Sequence, residues 1–424
     1  MLACCAVFVL FGFLNKARCF EGKADPFYDQ CYTDFQPLFY DRLFLDRGDG
    51  TRYLQFPYVD GYRETVSPEG TPANTLKAGA IEYPVLTGLM MWMGAIGVED
   101  GDAFLKRSAL FLAPFAFVAA YLLVVMTGWR ALMWAAAPAV ILYAFHNWDL
   151  PVVAVTVAGF YLWSRGSPLW AAALFGVGAA FKMYPLMFLA PLALDRWMTY
   201  RDRVGAVRVA VAGAGTFLMI NLPFMIVNFD GWIATYSFHS ARGPNFDSIW
   251  CAARDMCLSG GYDPKTLNVV TLGLTAVFGV AILGVGLWRF KREQVFPFVQ
   301  CCGALMATFL LWNKVHSPQY TLWLLPFFVL IGRWKLTTVL WALYAVADVY
   351  VYWGIFRWFT DYSAEDFPDS EKVMLVGIWM RAALLLFLVG YFVMARRSFP
   401  RPPAEANDRS PVPDPEPRPA YATA

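Results

Sequence analysis

Long apolar runs separated by short polar stretches dominate this sequence of 424 residues. Beyond the first polar stretch the runs recur steadily, at 105–127, 131–145, 150–163, 168–181, 183–194, 205–227, 267–288, 295–312, 320–332, 334–353 and 372–395. A helix needs about 20 apolar residues to cross the hydrocarbon core of a bilayer, so this pattern predicts an all-α, polytopic integral membrane protein. We interpret a shorter run at 2–14 as a first transmembrane helix whose true start lies upstream. The sequence therefore predicts about 12 transmembrane helices.

Short loops that carry Lys or Arg predict the orientation, because cytoplasmic loops are enriched in these residues. Such loops occur at 129–130, 164–166, 195–203, 288–292, 333–335 and 396–397. The alternate connections then face outward, at 146–149, 182, 228–266, 313–319 and 354–371, together with a polar loop at about 15–77. This alternation leaves no crossing for the apolar segment 83–98, which we interpret as re-entrant or interfacial. Both termini are predicted to lie inside.

The predicted organisation is one membrane domain, residues 1–395, followed by a tail. The outer loop at about 15–77 is too long for a simple connector, which is typical of a functional loop. Residues 396–424 are rich in Pro, Ala, Asp and Glu and have almost no large apolar side chains. This composition predicts a disordered cytoplasmic tail.

Composition agrees with the membrane class and excludes several others. Apolar residues make up 58% of the chain and charged residues 16%, against about 25% charged in soluble domains. A net charge of +2 without a basic stripe gives no basis for nucleic-acid binding. No zinc-ligand spacing, Walker loop or Rossmann fingerprint occurs in the sequence.

The eight cysteines fall into two groups. Four lie within apolar runs and are expected to be packing residues: Cys4, Cys5, Cys301 and Cys302. The other four lie in polar loops. If these loops face outward, one or two disulfides are expected, for instance Cys19 with Cys31 or Cys251 with Cys257.

Lys182 is the one charge between two apolar runs, in the segment Phe181-Lys182-Met183-Tyr184-Pro185. A Lys at membrane depth costs roughly 2.5 to 3.5 kcal/mol unless it reaches water, a partner or an anion. The following Pro185 removes a backbone donor and disfavours helix before it. We therefore predict two short helical spans that meet at a tip, with Lys182 pointing into a cavity suited to a lipid-linked phosphate. The alternative is a Lys that extends to the membrane surface.

Other polar clusters are predicted on the same outer side, at Asp34, Glu82, 146–149 and 313–320. An acid can take a proton from an acceptor hydroxyl while cations stabilise a departing phosphate, as transfer of a sugar from a phosphate donor requires. Structural alternatives stay open for each cluster. Asp34 could be a solvated loop residue, and Glu82 could cap a helix or pair with a cation.

For Asp149, capping is the favoured interpretation, because Asp before Leu150-Pro151 fits a helix start with Pro in its first turn. Lys314 and His316 could simply mark the end of a span. Of the three histidines, His316 is the one in a polar cluster between two helices. His146 and His239 have no comparable sequence context.

Six segments resemble a known family when taken in order: CYTDFQPLFYDR, FPYVDGY, IEYPVLTG, HNWDLPVVA, AAFKMYPLMFLAPL and NKVHSPQYTLWLLP. Together they resemble the actinobacterial branch of glycosyltransferase family 87, within the GT-C superfamily of polyprenyl-phosphate-dependent enzymes. The likeness runs from about residue 31 to residue 326. The short first span and the long segment 60–77 depart from the family pattern.

The resemblance implies a helical membrane enzyme of the plasma membrane with its site facing outward. It would transfer mannose or a similar hexose from decaprenyl phosphate to a cell-envelope glycolipid or lipoglycan, with inversion. No cofactor and no metal are implied, and no Asp-x-Asp pair occurs beside Asp34. The resemblance points to Asp34 as the catalytic acid, with Glu82 as a second candidate.

The same resemblance assigns the donor phosphate to Lys182, Lys314 and His316. Further substrate contacts are predicted for the neighbouring polar residues Tyr184, Asp149, Gln319 and Tyr320. An alternative function is a transporter or flippase of lipid-linked sugars, because a cation between broken helices also suits translocation. A non-catalytic membrane scaffold is a third possibility, which would leave the outer polar clusters without a purpose.

Overall fold

The computed structural model describes residues 1–20, 25–46, 51–66, 72–77, 80–254, 263–360 and 369–399. Over these residues the chain is almost entirely helical, as the sequence predicts. Within them, five helices are long and apolar enough to cross a membrane: Gly101–Ala135, Arg203–Val227, Pro264–Glu293, Trp334–Trp358 and Ser370–Met394. The larger number of about 12 transmembrane helices stays a prediction.

The helices are α1 Leu2–Ala17, α2 Phe35–Leu38, α3 Val85–Ala95, α4 Gly101–Thr127, α5 Leu132–Ala135, α6 Pro138–Tyr143, α7 Leu150–Ser164, α8 Pro168–Phe181, α9 Leu189–Thr199, α10 Arg203–Val227, α11 Phe229–Ala241, α12 Ile249–Arg254, α13 Pro264–Glu293, α14 Phe298–Trp312, α15 Thr321–Leu330, α16 Trp334–Thr360 and α17 Ser370–Met394. Single turns of 3₁₀ helix lie at Gly128–Ala131, Tyr184–Phe188 and Pro318–Tyr320, and a π-helical turn lies at Phe39–Leu43.

Several predicted apolar runs are broken rather than continuous. The run 131–145 consists of α5 and α6, because Pro138 starts a new helix. Helix α3 has 11 residues, which at 1.5 Å per residue is about half the thickness of the hydrocarbon core. That length agrees with a segment 83–98 that does not cross the membrane.

The first polar loop contains the chain's described strands, which the sequence did not predict. Strand β1 (Phe44–Asp46) pairs antiparallel with β2 (Arg52–Leu54), and β3 (Tyr62–Val66) pairs antiparallel with β4 (Pro72–Lys77). In the first hairpin Phe44 lies opposite Leu54. Both strand pairs lie in the part of the chain between Asp34 and Glu82.

The Cys19–Cys31 disulfide is confirmed, with a Cα–Cα distance of 5.7 Å. The second predicted pair includes Cys257, which lies outside the described residues. The cysteines of the apolar runs are free thiols, and three of them are buried: Cys5, Cys301 and Cys302. They are packing residues, as predicted.

Helix α8 packs closely against α10, and this contact holds the helix that carries Lys182 at its end. A Cβ atom on Gly176 of α8 would lie 2.3 Å from the carbonyl oxygen of Gly213 in α10. Small residues at such crossings let two helices approach closely in a membrane.

The predicted tail begins with a short ordered contact. Arg397 forms an isolated antiparallel bridge with Ile331, and the Ser398 backbone amide donates to the Leu330 carbonyl at 2.9 Å. Residues 400–424 lie outside the described part of the chain, so the disordered tail stays a prediction.

Candidate active site

The break predicted after residue 181 is present. Helix α8 ends at Phe181, and Lys182 adopts an extended conformation with φ −151° and ψ 135°. A 3₁₀ turn then begins at Tyr184, with Pro185 in its first turn. The Thr87 hydroxyl donates to the Phe181 carbonyl at 2.7 Å, which satisfies an acceptor left at the helix end.

The Lys182 ammonium lies among three partners. It donates to Asn147 Oδ1 at 3.0 Å, lies 3.7 Å from Asp149 Oδ1 and sits 3.9 Å from the centroid of the Tyr83 ring. Such a position over an aromatic face is favourable for a cation. The residue is 6% exposed, so it does not extend to the membrane surface.

Asp149 is the counter-ion of Lys182. It occupies the N-cap position of α7, as the sequence predicts, but its side chain does not cap the helix. Its carboxylate makes no capping hydrogen bond and instead accepts from the Trp323 indole at 2.9 Å. Asp149 is fully buried. Because a buried charge is costly without a partner, the ion pair with Lys182 accounts for both residues at this depth.

Asp34 faces Lys182 through one shared side chain. The Asn147 amide donates to Asp34 Oδ2 at 2.6 Å, while its oxygen accepts from Lys182. The Tyr32 hydroxyl donates to Asp34 Oδ1 at 3.0 Å. The Asp34 backbone amide donates to the His146 carbonyl at 2.9 Å, which fixes the loop. The Asp34 side chain is thus fixed by two hydrogen bonds and is not freely solvated.

The pKa of the Asp34 carboxyl is shifted upward. Burial raises this pKa to about 6, and the hydrogen bond from Asn147 counteracts part of the rise. A carboxyl with a pKa of about 6 is deprotonated at neutral pH and is a stronger base than an ordinary aspartate.

A cavity of about 490 Å³ opens beside this carboxyl. Its ionisable lining residues are Asp34, Glu82, His146, Lys182, His239, Arg242 and Asp247. Aromatic rings form much of the remaining wall, namely Phe27, Tyr32, Tyr83, Phe246, Tyr320 and Phe356. Acid, cations and aromatic surface therefore meet in one space that is large enough for part of a sugar phosphate.

Glu82 lies at the same cavity, and its side chain is 15% exposed. Its carboxylate is 4.0 Å from the Arg42 guanidinium. The His239 ring contacts the Glu82 backbone carbonyl at 2.6 Å through Nε2. The second candidate acid is therefore near Asp34 but already has a cationic neighbour.

Gln319 and Tyr320, predicted to contact substrate, also line the cavity. Tyr184, predicted with them, lies behind the cavity wall. Its ring stacks on Trp323 with centroids 4.7 Å apart, and its hydroxyl is 3.2 Å from the Thr156 hydroxyl. It supports the aromatic wall rather than lining the space.

The convergence predicted for Lys314 and His316 is not seen, because neither side chain lines this cavity. The Lys314 ammonium donates to two backbone carbonyls, those of Ser240 at 3.1 Å and Arg242 at 2.6 Å. His316 borders a separate small space beside Arg381. Contacts with the backbone of the 240–248 loop therefore occupy the Lys314 ammonium, which the sequence assigned to the phosphate.

Four ionisable cavity residues were missed or set aside by the sequence argument, namely His146, His239, Arg242 and Asp247. His146 and His239 line the cavity although neither has a distinctive motif, and Arg242 lies in a long loop of mixed composition. The segment Arg242-Gly243-Pro244-Asn245 carries turn residues beside a cation, which is the one local signal that could have indicated it.

Residues 83–312 match the model of glycosyltransferase family 87. The chain belongs to glycosyltransferase family 87. It is therefore a membrane glycosyltransferase that uses a sugar donor and an acceptor, and the resemblance to family 87 is confirmed over residues 83–312. The actinobacterial branch stays a prediction. A comparison with curated proteins gives no match.

The family 87 match covers the Lys182 side of the site but not all of it. Asn147, Asp149, Lys182 and Arg242 lie within residues 83–312, whereas Asp34 and the segment 317–320 lie outside them. The structure adds these outer residues to the cavity through the contacts described above.

Proposed function

We propose that this family 87 enzyme transfers a hexose, specifically mannose, from a polyprenyl-phosphate donor to a hydroxyl of a cell-envelope glycolipid or lipoglycan. The observation that carries the proposal is the Asn147 amide, which holds Asp34 and Lys182 at one cavity. A base for the acceptor and a cation near the donor are thereby fixed relative to each other. The transporter alternative does not use this arrangement, and family membership favours transfer.

In the proposed reaction, Asp34 takes the proton from the acceptor hydroxyl as its oxygen attacks the anomeric carbon. The bond from that carbon to the phosphate oxygen breaks, and the electron pair leaves with the polyprenyl phosphate. Attack opposite the leaving group inverts the anomeric configuration. The raised pKa of Asp34, about 6, suits proton transfer near neutral pH.

Lys182 and Arg242 are the proposed phosphate partners. Lys182 is already balanced by Asp149, so Arg242 brings the positive charge that the leaving phosphate needs. A guanidinium can bind two phosphate oxygens at once, which makes it well suited to this task. These cations provide charge stabilisation without a metal ion, and we expect chelators to leave the activity unchanged.

The proposed orientation places the cavity on the outer side of the plasma membrane. The Cys19–Cys31 disulfide supports this placement, because it closes the loop that carries Asp34 and disulfides persist in oxidising compartments. The Lys182 tip also lies at the end of α8 opposite the basic loop 164–166, which is predicted to be cytoplasmic.

Reconstitution of the purified protein in vesicles tests the donor and the sugar. We expect transfer from polyprenyl-phosphate mannose to glycolipid acceptors, no transfer from a nucleotide sugar, and a product of inverted configuration by nuclear magnetic resonance. Glycolipid profiling of cells that lack the gene should show an accumulated precursor, which identifies the acceptor. Turnover of a nucleotide sugar, or a retained configuration, would contradict the proposal.

A further inference from the structure

Arg381 is a buried cation within a membrane helix. It lies near the middle of α17, a helix apolar and long enough to span, and it is 1% exposed. Ionisable residues at such depth are rare and usually paired or functional. Arg381 does not line the catalytic cavity, so its purpose is not explained by direct contact with substrate.

The partners of Arg381 connect it to the cavity wall. Its Nη2 atom donates to the Asp247 carbonyl oxygen at 2.7 Å and lies 3.3 Å from the Asp247 carboxylate. Its Nη1 atom lies 3.7 Å from the carboxylate of Asp348 in α16. Asp247 in turn lines the catalytic cavity. The Arg381 guanidinium of α17 therefore links the cavity wall, at Asp247, to Asp348 of α16.

The segment 240–248 contains both Asp247 and Arg242 and is held at several points. Lys314 binds the backbone carbonyls of Ser240 and Arg242, while Arg381 binds the backbone and side chain of Asp247. The Asn245 side chain donates to the Ser317 hydroxyl at 3.0 Å. Two buried cations thus fix the start and the end of the short stretch that presents Arg242 to the cavity.

Stability alone is a weak reason to keep such a group. Desolvation of a buried ion pair often outweighs its attraction, and well-packed apolar residues can replace such pairs without loss of stability. In some proteins, however, a buried polar or ionic group is kept because it defines one position for the chain that carries it. That property is useful where a loop must place a charged side chain precisely.

We infer that Arg381 is a positioning residue for glycosyl transfer: together with Lys314 it fixes the 240–248 loop so that Arg242 faces the donor phosphate. The inference rests on the proposed function for the role of Arg242. Arg381 acts through the loop and touches no substrate. It follows that removing Arg381 should matter only as long as Arg242 is present.

The first test measures the loop directly and does not depend on activity. Hydrogen exchange of the full-length protein is compared for wild type, Arg381→Met and the milder Asp247→Asn, which keeps the side-chain volume. We expect faster exchange in 242–248 in both variants. Arg289→Met is the matched control, because Arg289 is also buried in a membrane helix but bonds Glu293 and the Val393 carbonyl. Unchanged exchange in the loop would overturn the inference.

The second test is a double-mutant cycle on kcat/KM. We expect about a tenfold loss for Arg381→Met and for Arg242→Met, and a double variant within about twofold of Arg242→Met alone, because coupled residues are not additive. Arg289→Met should add its effect independently. Additive losses for Arg381 and Arg242 would mean that Arg381 is merely structural.

The two inferences can fail separately. If wild-type protein neither binds polyprenyl phosphate nor transfers from it, the proposed function fails, and loop exchange alone then decides whether Arg381 holds the 240–248 segment. If Arg381→Met does not fold, Arg381→Lys replaces it as the test variant. It keeps the charge but loses the planar fork, so it should recover part of the protection of the loop.

Discussion

Asp34 and Lys182 share one hydrogen-bonding partner, the Asn147 side chain, although the three residues come from separate parts of the chain. The amide nitrogen donates to the carboxylate, and the amide oxygen accepts from the ammonium. Because both the nitrogen and the oxygen of the Asn147 amide are bonded, these two hydrogen bonds fix the orientation of the amide group. A single neutral residue therefore fixes the proposed base and the Lys182 cation relative to each other.

Replacing Asn147 by Ala should lower kcat/KM about a hundredfold, because Asp34 loses its shortest hydrogen bond and Lys182 loses an acceptor. Steady-state transfer in detergent or vesicles measures the effect. Asn221→Ala is a matched control, since Asn221 is also buried and accepts from the Trp232 indole at 2.9 Å. Equal losses in the two variants would show that Asn147 has only a structural role.

The pH dependence of kcat/KM should report the raised pKa of Asp34. The base is active only when deprotonated, so activity should fall as the pH drops through about 6, rather than near the ordinary aspartate value of about 4. A profile that stays flat down to pH 5 would exclude Asp34 as the group that limits the acid side.

Tyr32→Phe should move the acidic side of this pH profile, where activity falls, to higher pH. The Tyr32 hydroxyl donates to Asp34 at 3.0 Å and so stabilises the charged carboxylate, which lowers the pKa of Asp34. Its removal raises that pKa, and the loss of activity then begins at higher pH. The pH profile of Tyr28→Phe, a nearby exposed tyrosine, should match wild type.

Loss of the Cys19–Cys31 disulfide should lower both stability and activity. The bond closes a loop over a sequence separation of 12, and loops of this size contribute roughly 2 to 3 kcal/mol. Asp34 follows Cys31 by three positions, so a more mobile loop also makes the proposed base more mobile. Thermal unfolding of Cys31→Ser in detergent tests this. Cys4→Ser, at a free thiol, should unfold at the wild-type temperature.

The sequence predicted those features that depend on local chemistry. A lone Lys beside Tyr184-Pro185 within an apolar region indicates a helix break whatever the surroundings, and the structure has that break. The Cys19–Cys31 pair was one of the alternatives kept open by loop position. The all-helical membrane class follows from apolar length alone.

Features that depend on contacts distant in sequence were predicted less well. Asp149 has a good local capping context, but Lys182 and Trp323 attract its carboxylate instead. Lys314 and Arg242 are similar cations in outer-loop segments by sequence. Because the 240–248 segment packs against the Lys314 segment, Lys314 binds backbone carbonyls. Arg242 lines the cavity instead. No local pattern contains that information.

The central claim is that Asp34 is the base for transfer from a polyprenyl-phosphate donor. The most direct measurement is the transfer rate of Asp34→Asn in vesicles with polyprenyl-phosphate mannose. The control is Asp102→Asn, at a half-buried acid that pairs with Lys106. We predict a loss of 100- to 10,000-fold for Asp34→Asn with donor binding retained, and no change for Asp102→Asn, because a general base contributes roughly this factor. Transfer by Asp34→Asn within about threefold of wild type would contradict the claim and would indicate Glu82 as the base instead.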